Sequence, residues 1–359
     1  MKPAKEKSVM KMASLAERVV TLVEEARRKT VAVVNLAMVY TYYEIGRLIV
    51  ENEQHGQRRA KYGERLIEEL SVRLTGKLGR GYSAQNLANM KQLYLIYSSP
   101  QIFQTPSRKS SGRGKPYTPQ FTLSWSHYLK LMRIEDPAER SFYEVEARDN
   151  RWSLRELQRQ FDASLYERLA LSRDKNRLKE LAKRGQIVER PEDAMKDPYV
   201  LEFTGIPERA AYSESDLEAQ LISHIQEFML ELGKGFAFVG RQQRITFDER
   251  HFHVDLVFFN RLLKCFVLVD LKRGDLTHQD IGQMQMYVNY YDRVVKLQDE
   301  NPTVGILLCH DKSDALVEYS LPEGNRQVFA RQYRTILPSK ERLKRLVRLT
   351  LDEHGESKK

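Results

Sequence analysis

One run, Val267-Leu268-Val269-Asp270-Leu271-Lys272, constrains the fold of this chain more than any other: it has the aliphatic character of a core strand, yet it carries a carboxylate and an ammonium. Burying an ionised group costs several kcal/mol unless it is paired or metal-bound, so a purely structural strand is not expected to hold both. In a strand, Leu268, Asp270 and Lys272 share one face, and Asp270 and Lys272 stand ~6.6 Å apart along the backbone. That gap is wide for a direct ion pair and suits two groups converging on one metal-bound phosphate. Asp255 lies in the preceding strand-like run His253-Val254-Asp255-Leu256-Val257, and the short Asn260 to Leu263 connection predicts a hairpin that sets it beside Asp270. Two hard carboxylates beside one ammonium make a Mg²⁺ or Mn²⁺ site with an electrophilic helper.

The surroundings of this run predict an α/β domain. Short segments rich in Val, Ile and Phe cover Phe236 to Phe247, Phe252 to Phe259, Lys264 to Lys272 and Thr303 to Cys309, with one helix from Thr277 to about Tyr291 between the last two. That helix stacks Gln279, Gln283 and Tyr287 on one face. Upstream, a helix from Ser215 to Leu232 carries Glu218 beside the apolar stripe Leu217, Leu221, Ile225 and Phe228. Glu214 and Glu227 share that helix, so a surface role for Glu218 competes with a functional one.

Before about residue 168 the apolar spacing is helical. A stretch from Ser14 to Ile49 is followed by Tyr62 to Leu74, a glycine-rich break at Gly76, Gly79 and Gly81, and a helix behind Ser83 as N-cap. Leu87, Met90, Tyr94 and Tyr97 form its apolar face, and Gln85, Asn86, Asn89, Lys91 and Gln92 point elsewhere. Two readings stand: a helix-turn-helix-like DNA reader, or an ordinary helical hairpin whose turn is longer than usual. In the Pro/Gly/Ser-rich stretch 104–119, Arg108, Lys109, Arg113 and Lys115 face no acid, which suits either a phosphate-gripping loop or a solvated one. The expected organisation is a helical domain over 1–168, a charged linker over 169–198, an α/β domain over 199–338, and a basic amphipathic helix with a frayed tail over 339–359.

The 359 residues carry a formal charge of +10, which favours a polyanionic partner through counterion release. Two cysteines, Cys265 and Cys309, give neither a disulfide framework nor zinc spacing, and no run of about 18 apolar residues occurs. The expectation is a cytoplasmic protein that neither spans a membrane nor is secreted.

The order Glu218, Asp255, Asp270-Leu271-Lys272 and Gln283-Met284-Gln285-Met286-Tyr287 resembles the PD-(D/E)XK nuclease superfamily. The runs Asp216-Leu217-Glu218, Glu231 to Gln242 and Gly305 to Cys309 resemble its YhcG-type branch. Tyr62-Gly63, Gly79-Arg80-Gly81-Tyr82-Ser83, Asn89-Met90 and Leu123 to Tyr128 are similar to the helical domain that accompanies that nuclease. The resemblance covers residues from about 14 to about 335. It implies a restriction-endonuclease-like mixed sheet flanked by helices. It also implies metal held by Asp255, Asp270, the Leu271 carbonyl and Glu218. In the same reading Lys272 orients or deprotonates water or steadies negative charge, and Gln283 positions Lys272 or touches phosphate. Arg241 and Tyr287 join the four loop cations as nucleic-acid contacts. Val254 stands where the superfamily's motif has Pro, and Asp270 where closer relatives are expected to carry Glu. The implied activity is hydrolysis of DNA, with RNA as an open alternative and two paired copies for duplex cleavage. The competing reading is a nucleic-acid-binding protein that keeps the fold with little or no cleavage.

Overall fold

The computed structural model describes residues 30, 33–53, 60–98, 119–171, 175–206, 213–247, 249–311, 317, 319–322 and 324–356. The chain divides into two units, residues 1–158 and 159–359. The loop cations Arg108, Lys109, Arg113 and Lys115, and the first half of the Ser14 to Ile49 stretch, lie outside the described residues.

In the first unit, α1 covers 33–53 and is followed by α2 (Ala60–Leu78), α3 (Ala84–Tyr97), α4 (Trp125–Leu131) and α5 (Pro137–Asp149). Ser83 caps α3 as expected, its hydroxyl accepting from the Asn86 N–H at 3.2 Å. The turn before it needs positive φ at Gly79 (82°) and Gly81 (118°), which glycine adopts without a Cβ penalty. The polar row of α3 is mostly engaged within the unit. Asn86 donates to the Gly81 carbonyl and accepts from Trp125 Nε1 at 3.1 Å, Lys91 pairs with Glu53 at 2.6 Å, and Gln92 donates to the Met132 carbonyl. Leu87, Met90, Leu93 and Tyr97 are buried. Behind them the hydroxyls of Tyr97 and Tyr128 each donate to Glu144 at 3.1 Å, and burial raises that carboxyl above its ordinary range.

The second unit contains α7 (Leu165–Ala170), α8 (Lys175–Arg184), α9 (Glu214–Ser223), α10 (Ile225–Leu232), α11 (His278–Tyr290) and α12 (Lys340–Glu356); α6 (Leu154–Asp162) straddles the boundary. Its six-stranded sheet has the order β1-β6-β5-β4-β3-β2, with β1 (Tyr199–Val200), β2 (Phe236–Phe247), β3 (Arg250–Asn260), β4 (Cys265–Asp275), β5 (Val304–Asp311) and β6 (Val328–Arg334). Strands β2 to β4 form an antiparallel meander, and β4, β5, β6 and β1 run parallel. This is the mixed sheet flanked by helices that the family resemblance implies.

Alternation along β4 makes two apolar layers. Val267, Val269 and Leu271 pack with Leu217, Leu221, Phe228 and Leu232 of α9 and α10, while Leu268 packs with Ile281, Met284, Tyr287 and Val288 of α11. Gly305 lets α11 approach β5: a Cβ there would lie 2.5 Å from Met284 Sδ and 3.0 Å from Val288 Cγ2.

Several boundaries differ from expectation. The single helix foreseen over Ser215 to Leu232 is two, broken at His224, whose φ/ψ of −118°/38° is not helical. Between α6 and α7 the chain turns at Ser164, which has a φ of 50°. The charged stretch 169–198 lies within the second unit, where Leu181, Ala182, Ala194 and Met195 are buried. Its Lys196 and the preceding Arg168 turn inward onto Glu231, Arg168 at 2.6 Å, so charges that look solvated in sequence close an internal network. Helix α12 runs to Glu356, with Leu343 buried. Among the described residues no helix is long and apolar enough to cross a membrane.

Candidate active site

The site sits where β3 and β4 part. Their ladder runs from Asn260 opposite Cys265 to Leu256 opposite Val269. One step further Asp255 faces Asp270, and there the backbone pairing stops. The Leu271 N–H donates instead to Asp255 Oδ2 at 2.8 Å, so a carboxylate replaces the backbone acceptor and the strands splay around the acids. Alternation along β3 also breaks at this point. Leu256 and Phe258 pack in the α9–α10 layer, whereas Val254 joins Val257 in the α11 layer.

Register sets Asp255 opposite Asp270, close enough for its charge to act on the Asp270 carboxyl, which is only 3% exposed. Burial and the neighbouring Asp255 push the Asp270 carboxyl up to about 7, against the opposing pull of Lys272. The expected wide gap to Lys272 is not observed: Nζ lies 2.9 Å from Asp270 Oδ2. The flexible four-carbon stem folds the ammonium back along the strand, a freedom that backbone spacing does not capture. The contact lacks hydrogen-bond geometry, so buried Oδ2 is ion-paired yet still has acceptor capacity.

Two helix starts converge on the same ammonium. Asp280 Oδ1 stands 3.6 Å and Glu214 Oε2 4.0 Å from Lys272 Nζ. Asp280 belongs to the capping box that Thr277 forms at the start of α11, and Glu214 in the first turn of α9 also accepts the Arg273 N–H at 3.1 Å. Burial works against the Lys272 charge, but Asp270, Glu214 and Asp280 outweigh it and raise the pKa above the ordinary lysine value. These three carboxylates favour the ammonium form of Lys272.

Glu218 reaches the sheet from α9 through an intermediary. The Gln242 amide on β2 donates to Glu218 Oε2 at 2.7 Å and to Asp255 Oδ1 at 3.1 Å. Burial, then the charge on Asp255, raises the Glu218 carboxyl, with Gln242 opposing. Among the described residues no group of three or more His, Cys, Asp or Glu side chains is gathered to hold a metal. Glu218 is held beside Asp255 through this amide. Gln283 does not contact Lys272; its amide donates to the Tyr287 hydroxyl, which donates on to the His253 carbonyl at 3.0 Å. Tyr287, expected as a nucleic-acid contact, is fully buried and ties α11 to β3. Arg241 is exposed on β2, close enough to Glu218 to favour its charge. Gln242, Asp280 and Glu214 were not singled out from sequence. The Thr277-x-x-Asp280 spacing was a readable cap signal, whereas nothing in sequence announces the left-handed backbone of Gln242 (φ 47°).

The family described as the YhcG PDDEXK nuclease domain matches residues 192–348. The DUF1016 N-terminal domain matches residues 18–168. Over 341 residues the chain is 42% identical to "Putative nuclease YhcG" of Escherichia coli (strain K12), with 90% of each covered. The chain belongs to the YhcG family. Among solved structures it is similar to a repair endonuclease from Pyrococcus abyssi (21% identity, 36% of this chain and 50% of that one, TM-score 0.24). It is also similar to EndoMS in its apo form (20% identity, 36% and 49% covered, TM-score 0.23).

Proposed function

We propose that this protein is a metal-dependent nuclease that hydrolyses phosphodiester bonds in DNA, with Asp255 and Asp270 holding Mg²⁺ or Mn²⁺. The observation that carries the reading is the buried Asp270 carboxylate pressed against a second carboxylate. The single Lys272 ammonium, shared with Glu214 and Asp280, does not neutralise this pair, and buried Oδ2 has acceptor capacity to spare. Hard oxygen donors of this kind suit a hard divalent ion. When bound, such an ion polarises the scissile phosphate and lowers the pKa of its water.

The chain's own residues do the rest. Lys272, held as an ammonium, faces the charge that develops on the phosphate; it stabilises that charge and does not abstract a proton. The Asp255 carboxylate is aimed by the Leu271 N–H. Glu218 stands beside it as a third acid, and Gln283 and Tyr287 fix the α11 face behind the site. Exposed Arg241 contacts the nucleic-acid backbone, the helical unit grips the substrate, two copies pair to cut both strands of a duplex, and the setting is the cytoplasm. A second reading, binding without turnover, is favoured by one observation, the absence of a converged third carboxylate among the described residues.

Incubation with single-stranded, duplex and branched DNA and with RNA, in Mg²⁺, Mn²⁺ or EDTA, separates the two readings. Cleavage that requires metal and disappears in Asp255→Asn and Lys272→Met proteins supports the nuclease. Binding with no cleavage of any substrate supports the alternative.

A further inference from the structure

Gln242 stands at the most unusual backbone position of the site. It occupies β2 between Arg241, paired with Leu256, and Gln243, paired with Val254, which places it opposite Asp255 where alternation along β3 breaks. Its φ of 47° is in the left-handed region, where a non-glycine residue other than Asn or Asp is uncommon and persists only if its surroundings hold it. What holds it is visible. One amide nitrogen donates to two acids from different elements, Glu218 of α9 and Asp255 of β3. Among the described residues Gln242 is the one hydrogen-bond partner of the Glu218 side chain.

A neutral donor is the group that allows two carboxylates to stand together in the absence of a cation. Without its N–H groups, Glu218 and Asp255 repel and Glu218 swings out toward solvent. With them, the third acid waits at a set distance from the pair that binds metal. We infer that Gln242 is a positioning residue: its amide pre-sets the Glu218 carboxylate against Asp255, so that this acid is in place to join or brace the shell of a divalent ion. The inference rests on the metal-binding reading above and concerns how the donor set is assembled. Residues that orient metal ligands in this way typically contribute ~10–100-fold to affinity or activity.

The test is a double-mutant cycle on the full-length chain, read by Mn²⁺ calorimetry as well as by DNA cleavage. Gln242→Met keeps the shape and removes the donors; it is expected to weaken Mn²⁺ binding at least ~10-fold and to lower kcat with little change in KM. If the amide acts through Glu218, Gln242→Met has little further effect in a Glu218→Ala background, because the acid it positions is already gone. A general packing defect would instead add to it. Gln242→Gly relieves the left-handed backbone while deleting the amide, so it should match Gln242→Met in metal affinity without losing thermal stability, and it serves if the methionine protein fails to fold. Wild-type Mn²⁺ affinity in both variants, or fully additive effects with Glu218→Ala, overturns the positioning role and leaves the nuclease reading standing. A wild-type chain that binds no Mn²⁺ overturns both.

Discussion

Metal binding should expel a proton, and the amount is set by Asp270. In the metal-free protein its carboxyl is pushed up to about 7 by burial and by Asp255. A divalent ion needs the carboxylate, so below that pH it must displace the proton, at ~1.4 kcal/mol per pH unit. With one such group, apparent Mg²⁺ or Mn²⁺ affinity falls ~10-fold between pH 8 and pH 6, and protons released per ion rise from ~0.1 to ~0.9. The same shift has a stability side, with a definite sign. The folded pKa lies above the ordinary aspartate value of 3.8, so the folded state holds a proton that the unfolded chain gives up. The contribution is fully present below about pH 4 and is lost as pH rises through about 7, an upper limit of ~4 kcal/mol for the metal-free protein. The Lys272 pKa is raised too, but there because the neighbouring carboxylates favour the ammonium; the cost at Asp270 arises from burial and the second carboxylate. Calorimetry of metal binding in buffers of different ionisation enthalpy reads the proton count directly. Equal affinity at pH 6 and pH 8 with no proton release would refute the reasoning.

Four further outcomes follow. Asp270→Asn relieves the carboxylate pair, so in EDTA at pH 8 its melting temperature should exceed that of wild type by a few degrees, ~2–4 °C per kcal/mol for a unit of this size, while added Mg²⁺ no longer raises it. Lys272→Met should lower kcat by ~10²–10³-fold, as loss of a charge-stabilising group does, and the wild-type rate should show no limb from lysine deprotonation up to about pH 10. Gly46→Ala drives a Cβ into the Met90 carbonyl across the crossing of α1 and α3, where backbone cannot yield; it should destabilise the helical unit by ~1–3 kcal/mol in denaturant titrations. Tyr287→Phe removes the bond to the His253 carbonyl; it should weaken folding by ~1 kcal/mol and leave the salt dependence of DNA binding unchanged, since the ring is fully buried.

Much of this arrangement was legible in the residues, for identifiable reasons. Period-two alternation in Val267 to Lys272 fixed β4 and its two faces, and the short Asn260 to Leu263 connection fixed the hairpin, so the Asp255–Asp270 juxtaposition follows from pattern alone. The ends of β2 match because Gly235 and the Asp248-Glu249 pair bound an unbroken β-rich run. Strand β1 could not be foreseen, since two residues carry no periodicity, and β6 hides its pattern in Phe329, Arg331 and Gln332 between buried positions. The inward turn of Arg168 and Lys196 onto Glu231 depends on partners tens of residues away, which composition cannot reveal. The Lys272–Asp270 contact and the conformation of Gln242 escaped for a related reason: a side-chain fold-back and a left-handed backbone are conformational choices made by surroundings.

The claim on which all of this depends is that the acids at the parting of β3 and β4 hold one divalent cation. Crystals grown or soaked with Mn²⁺ and measured for anomalous scattering test it directly. A single peak about 2 Å from one carboxylate oxygen each of Asp255 and Asp270, with Glu218 nearby, is the predicted result. A saturating Mn²⁺ concentration that leaves this position empty, with Asp270 still paired to Lys272, would contradict it.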